Sequence, residues 1–298
     1  IVVFDLLLPY GVAFKIVAIS GVVLMPLAAW AMGRLSSWRE PLPGLMAVAG
    51  LLFVFDFNFT IYGGNIASTL AGEFAFSIGL AASLLYLGLV HRVLEHGTHQ
   101  GRAAVVLAVV ALCHPITLLF SVTATVVHVV VRAIHGFPRR LGVKLTVVAL
   151  LCTTLIFFGV FSATSHLFTR LLVVTLPLLC LLLLEFRSSM RLLAVGVLGG
   201  ALSAFWTIPF LLRRSHLNDM GWEKLGDVSE NLFFPDRLGG DSAKITIVWL
   251  LALAALGVLA GLVRWFQPAL LLSGIGFVAA LGFVYWPQHR IWNARLLP

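Results

Sequence analysis

Residues 9–33, PYGVAFKIVAISGVVLMPLAAWAMG, form a predominantly apolar run as long as a bilayer is thick. A hydrocarbon core of about 30 Å is crossed by roughly 20 helical residues. Such runs recur along the chain. Of its 298 residues 60% are hydrophobic and 11% are charged, against about 25% charged in soluble domains. A soluble protein of this size has no interior large enough to hide that apolar surface. A membrane β-barrel is excluded as well, since its strands alternate in polarity over about ten residues, whereas these runs are apolar on every face. The expected fold class is all-α, a polytopic transmembrane helical bundle.

Hydropathy places spans at 9–33, 43–57, 74–92, 103–131, 145–162, 171–185, 192–212, 245–263 and 268–286. The stretch 103–131 breaks at CHPIT, because Pro115 lacks a backbone donor and disfavours helix at His114. It is expected to be a hairpin of two short helices that does not fully span, which makes about ten membrane segments. Residues 1–8 read as the end of an earlier helix. The chain reads as one transmembrane domain over 1–298 with a long polar loop at 213–244, and as part of a longer protein. Cys113, Cys152 and Cys180 all fall inside apolar runs without metal-ligand spacing, which fits small buried residues.

Charge sets the expected orientation. With connections placed alternately, one face receives Arg34, Arg39, Arg92, Arg102, Arg132, Arg139, Arg140, Lys144, Arg187, Arg191 and Arg264, with Glu40, Glu95 and Glu185. The remaining nine basic and nine acidic residues fall on the other face, so the whole formal excess of +8 lies on one side. That is the pattern of a cytoplasmic face. It also suits anionic lipid head groups, and nothing in it supports nucleic-acid binding. The outer face then receives 58–73, 213–244 and the final YWPQHRIWNARLLP.

Candidate chemistry belongs on that outer face. In IYGGNIASTLAGEFAF, Gly63 and Gly64 permit unusual backbone and close approach, beside Tyr62 and Asn65. Ser68 or Thr69 is placed to cap the helix continuing from Phe74. Glu73 either sits at that positive helix end or borders a solvated cavity, orienting a substrate hydroxyl or a metal. Asp56 fits an interfacial position. In the 213–244 loop, Asp219, Trp222 and Glu223 lie close together; Trp222 is either an interfacial anchor or a stacking platform for a sugar. Arg290 and Arg295 flank Trp292 and Asn293, and either snorkel or grip a phosphate through forked hydrogen bonds. His128 lies alone in an apolar helix and suits a helix–helix hydrogen bond. No phosphate loop, HExxH pattern or GxSxG nucleophile is present, and no internal repeat is evident.

PYGVAFKIVAISGVVLMPLAAWAMGRL, IYGGNIASTLAGEFAFSIGLA, LCHPITLLF, GGALSAFWTIPFLLRR, DMGW and IWNARLLP occur in that order over nearly the whole chain. Together they resemble the bacterial membrane family labelled 6-pyruvoyl-tetrahydropterin-synthase-related, which is similar in turn to GT-C glycosyltransferases of the actinobacterial cell-wall type. The resemblance implies a GT-C-like bundle in a bacterial plasma membrane, acting at its extracytoplasmic face. A polyprenyl-phosphate sugar would be the donor and a cell-envelope glycan or lipid the acceptor. The principal carboxylate base of such enzymes lies in the first outer loop, here expected upstream of Ile1. Glu73 would support it by positioning acceptor or metal, and Arg290 or Arg295 would neutralise the donor phosphate. Asp219, Trp222, Glu223, Tyr62, Asn65 and Asn293 would line the acceptor side. Two other readings remain: a non-catalytic GT-C-like scaffold or lipid-binding subunit, and a lipid or glycan transporter. A divalent metal is compatible with the first reading, and protein partners are not specified by the sequence.

Overall fold

The computed structural model describes residues 2–56, 63–138, 140–142, 144–145, 186–213, 216, 252, 255–261, 263 and 266–285, the last five as backbone alone. Among the described residues the chain is helical, without strands. A short turn of helix, α1 (Val2–Asp5), precedes Pro9, the N-cap of α2 (Tyr10–Leu35). Pro41 then leads into α3 (Leu42–Val54), with Pro43 in its first turn, where a missing N–H costs nothing. A three-residue turn, α4 (Ile66–Ser68), runs through a π-helical segment (Thr69–Glu73) into α5 (Phe74–His96). Gly97, left-handed at φ 66°, ends α5. There follow α6 (Gln100–Cys113), α7 (Pro115–His135), α8 (Phe186–Leu212) and α9 (Gln267–Tyr285).

Among the described residues, four helical stretches are long and apolar enough to cross a membrane: Tyr10–Leu35, Ile66–His96, Pro115–His135 and Phe186–Leu212. Three shorter apolar helices accompany them: Leu42–Val54, Gln100–Cys113 and Gln267–Ala280. The expected spans at 145–162 and 171–185 lie outside the described residues, as does most of 245–263. One expectation is corrected. The stretch 103–131 is not a pair of short helices, because only α6 is short. Pro115 occupies the first position of α7, so it breaks the path without shortening the helix after it.

Two compact units divide the chain: Ile1–Thr125 with Met190–His216, and Val126–Ser189 with Leu217–Pro298. In the first, α5 is central and the most buried of the four long stretches. It runs parallel to α2, because Phe14 meets Phe74 edge-on at 5.6 Å between ring centroids while Gly88 lies against Met32 and Leu35. Gly21 lets the two helices touch: a Cβ there would overlap the backbone of Ser77 and Ile78. Small residues at such crossings are how membrane helices pack without a hydrophobic driving force. Helix α3 is antiparallel to α2, with Gly33 beside Pro43 and Gly50 beside Pro26 and Ala29. Val54 then joins Met25, Ala28 and Ala81 in one buried cluster. Helix α8 follows α6 in direction, with Arg191 packed over Gly97 and Gly199 against Ala104 and Leu107.

These directions sort the charges within this unit. Arg34, Arg39, Glu40, Arg92, Glu95, Arg102 and Arg191 gather at one end, where Arg34 reaches Glu40 at 3.6 Å and lies 5.9 Å from the Trp30 ring centroid. Toward the other end lie Asp5, Lys15, Asp56, Glu73 and Arg213. In the second unit His128 is buried within α7.

Candidate functional site

Helices α3 and α6 both stop short at a common depth, and the candidate site is built where they stop. At 1.5 Å per residue α3 is about 20 Å long and α2 about 39 Å. Val54, the last residue of α3, lies beside the middle of α2. Cys113, the last of α6, lies against Gly79 on α5, directly after Ser77 and Ile78, where α5 crosses Gly21. Gly63, Gly64 and Asn65 arrive at this level, all buried. Both glycines have positive φ, 96° and 93°, and a Cβ would drive Gly63 into the Phe76 ring and Gly64 into Phe53 and Leu80. The sequence pointed to close approach here, and the approach is made by the protein's own aromatic and apolar side chains.

Asn65 ties the turn together. Its Nδ2 donates to the Asp56 carbonyl at 2.6 Å, and its Oδ1 accepts from the Ser68 N–H at 2.8 Å. Both ends of the amide are therefore engaged by backbone, and the residue is 2% exposed. The expectation that Ser68 or Thr69 caps the helix from Phe74 is corrected by this bond. Asn65 is the N-cap, and helix begins eight residues earlier, at Ile66. The stretch 66–73 is therefore helical, where a loop continuing to residue 73 was expected. Thr69 instead pairs its hydroxyl with Ser77 at 2.6 Å.

Glu73 follows Gly72, whose φ of 110° kinks the helical path. Its carbonyl lies 3.4 Å from the Ser77 hydroxyl, its side chain makes no capping bond to α5, and the residue is half-buried. Three residues on, Phe76 meets the His114 ring edge-on at 5.1 Å. In the sequence His114 reads only as the residue before a break. It is in fact an extended link, φ −160° and ψ 135°, between α6 and α7. Its Nδ1 accepts the Ile116 N–H at 3.2 Å, and its carbonyl accepts from the Thr117 hydroxyl at 2.8 Å.

Below His114 a seam of hydroxyls joins α5 to α7. Ser83 donates to the Gly79 carbonyl at 2.7 Å and receives Ser121 at 2.9 Å. Thr125 bonds the Ser121 carbonyl at 2.7 Å and lies 3.3 Å from the Tyr86 hydroxyl. Thr117, Ser121 and Thr125 recur every four residues, a sequence signal that locates this seam.

Among the described residues, no three His, Cys, Asp or Glu side chains are grouped to share a metal ion. Tyr62, Asp219, Trp222, Glu223, Arg290, Asn293 and Arg295 lie outside the described residues, so of the expected site the structure places Glu73 and Asn65 alone. It adds His114 and Phe76. The helices and their composition define a multi-pass helical membrane protein. Compared with protein-family models, curated proteins and solved structures, the chain matches none.

Proposed function

We propose that this chain is the membrane core of a GT-C-like glycosyltransferase with about ten membrane segments. It transfers a sugar from a polyprenyl-phosphate donor to a cell-envelope glycan or lipid at the extracytoplasmic face of a bacterial plasma membrane. The observation that carries the reading is Glu73: a half-buried carboxylate that ends a kinked π-helical segment, at the end of its unit opposite five arginines. Segments of π-helix inside longer helices concentrate at functional sites, and the positive-inside rule makes the arginine end cytoplasmic. The resemblance to the 6-pyruvoyl-tetrahydropterin-synthase-related family supplies the reaction class.

In this mechanism an ionised carboxylate in the first outer loop deprotonates the acceptor hydroxyl as it attacks the anomeric carbon. Glu73 orients that hydroxyl. Arg290 and Arg295 stabilise the charge that develops on the departing lipid phosphate. Asp219, Trp222, Glu223, Tyr62 and Asn293 hold the acceptor. Radiolabel transfer from a polyprenyl-phosphate sugar, in membranes carrying the full-length protein, tests the proposal. Glu73→Gln is expected to slow transfer about tenfold to a hundredfold through lost positioning, and Arg290→Ala by at least as much. Undiminished transfer in the double variant removes both assignments.

A further inference from the structure

Helix α2 carries two charged residues, Lys15 and Arg34, nineteen residues apart. At 1.5 Å per residue they are separated by about 28 Å, close to the roughly 30 Å of a hydrocarbon core. They therefore mark the two boundaries of the span, and Arg34 lies among the lipid phosphates at the arginine-rich end. The positive-inside rule makes that leaflet the cytoplasmic one. Between the two charges, α2 turns one face to α5 through Gly21 and another to α3 through Gly33. Ile19, Val23, Leu27 and Trp30 follow one another at helical spacing on a third face, and each is half-exposed. Arg34 continues that stripe by one more turn. Apolar side chains that end in an indole and a guanidinium match a lipid from its acyl chain to its head group.

The cation at the end of the stripe is held in a set attitude. The Arg34 guanidinium carbon lies 5.9 Å from the Trp30 ring centroid. The indole face attracts the guanidinium, whose N–H donors lie in its own plane and point outward around its rim. Its acidic partner is loose: Nη1 stands 3.6 Å from Glu40 Oε1, beyond hydrogen-bond length, and both side chains are more than half exposed. Arg39, in the turn that follows, is exposed as well. We propose that Trp30 and Arg34 form a binding site for one anionic phospholipid of the cytoplasmic leaflet. Its phosphate accepts the forked donors of Arg34, and an acyl chain lies along Leu27 and Val23. A zwitterionic lipid offers the same phosphate but brings a cation of its own toward Arg34 and Arg39, so the net charge of the head group decides the preference. Glu40 is the competitor for Arg34.

The experiment places the full-length protein in bilayers of mixed phosphatidylglycerol and phosphatidylcholine, with one or the other carrying brominated chains. Bromine quenches tryptophan fluorescence on contact, and the quenching that Trp30→Phe abolishes reports the lipid beside Trp30. The ratio of affinities there is expected to favour phosphatidylglycerol by at least about fivefold, the factor for one arginine at a membrane surface. Arg34→Gln is expected to bring the ratio close to unity, and Glu40→Gln to raise it. Arg102→Gln removes an equal charge from α6 at the same end and is expected to leave the ratio nearly unchanged. A wild-type ratio of unity overturns the inference. So does a loss in Arg102→Gln as large as that in Arg34→Gln, which would make the preference a property of diffuse surface potential. Should Trp30→Phe fail to fold, native mass spectrometry of the wild type and Arg34→Gln, released from the same mixtures, counts the phosphatidylglycerol retained. Equal counts in the two proteins have the same force. Sugar transfer enters none of these readings, so the site stands or falls apart from the glycosyltransferase proposal.

Discussion

Gly72 is the residue on which the position of Glu73 turns. A Cβ there meets nothing within 4 Å, so a substitution is opposed by backbone conformation alone. For an L-residue the left-handed region costs about 1–2 kcal/mol. Gly72→Ala is therefore expected to lower unfolding free energy by that amount in detergent or nanodiscs, and to reduce transfer along with Glu73→Gln. An unchanged Tm would show that the kink does not persist in the membrane. Gly63, Gly64 and Asn65 were conspicuous in the sequence because a membrane chain rarely places such residues together, and close approach at the glycines was legible from residue type alone. The capping residue was not. Asn65, Ser68 and Thr69 all satisfy the chemistry of a cap, and the Asn65 amide is the one held between the Asp56 carbonyl and the Ser68 N–H. His114 was masked by Pro115: one residue explained the break so fully that its neighbour's ring drew no role.

Among the elements, α5 was legible as a hydrophobic span and illegible as a junction. Its apolar period gives no warning of the insertion at Thr69–Glu73, since a π segment changes the register of a helix without changing its composition. The hydroxyl seam with α7 has a measurable weight. Interhelical hydrogen bonds in membranes average about 0.6 kcal/mol and reach at most about 1.7, because the separated helices also find polar partners. A double-mutant cycle on Ser83→Ala and Ser121→Ala, read by reversible unfolding, is expected to give a coupling near the lower figure. Zero coupling would mean that each hydroxyl is satisfied by its own helix, as Ser83 is in part by Gly79. The close crossing at Gly21 is steric in origin and reads in sequence only as one small residue among many.

At the scale of the whole molecule, the sorting of charge is an expectation that follows from counting along the chain and needs no packing. The parallel course of α2 and α5 supports it within the first unit. Cysteine labelling tests it in intact cells on a background lacking Cys113, Cys152 and Cys180. A membrane-impermeant maleimide is expected to reach Ala71→Cys from outside and Thr98→Cys only after permeabilisation. Labelling of both from one side would refute a transmembrane α5. The truncated helices α3 and α6 carry one last consequence. Next to such stumps the bilayer must thin or its head groups must sink, at fractions of a kcal/mol per Å of mismatch. If the proposed function holds, a phosphate riding on a long isoprenoid tail would be drawn below its usual plane before meeting any side chain, and its descent would become partly a property of the lipid.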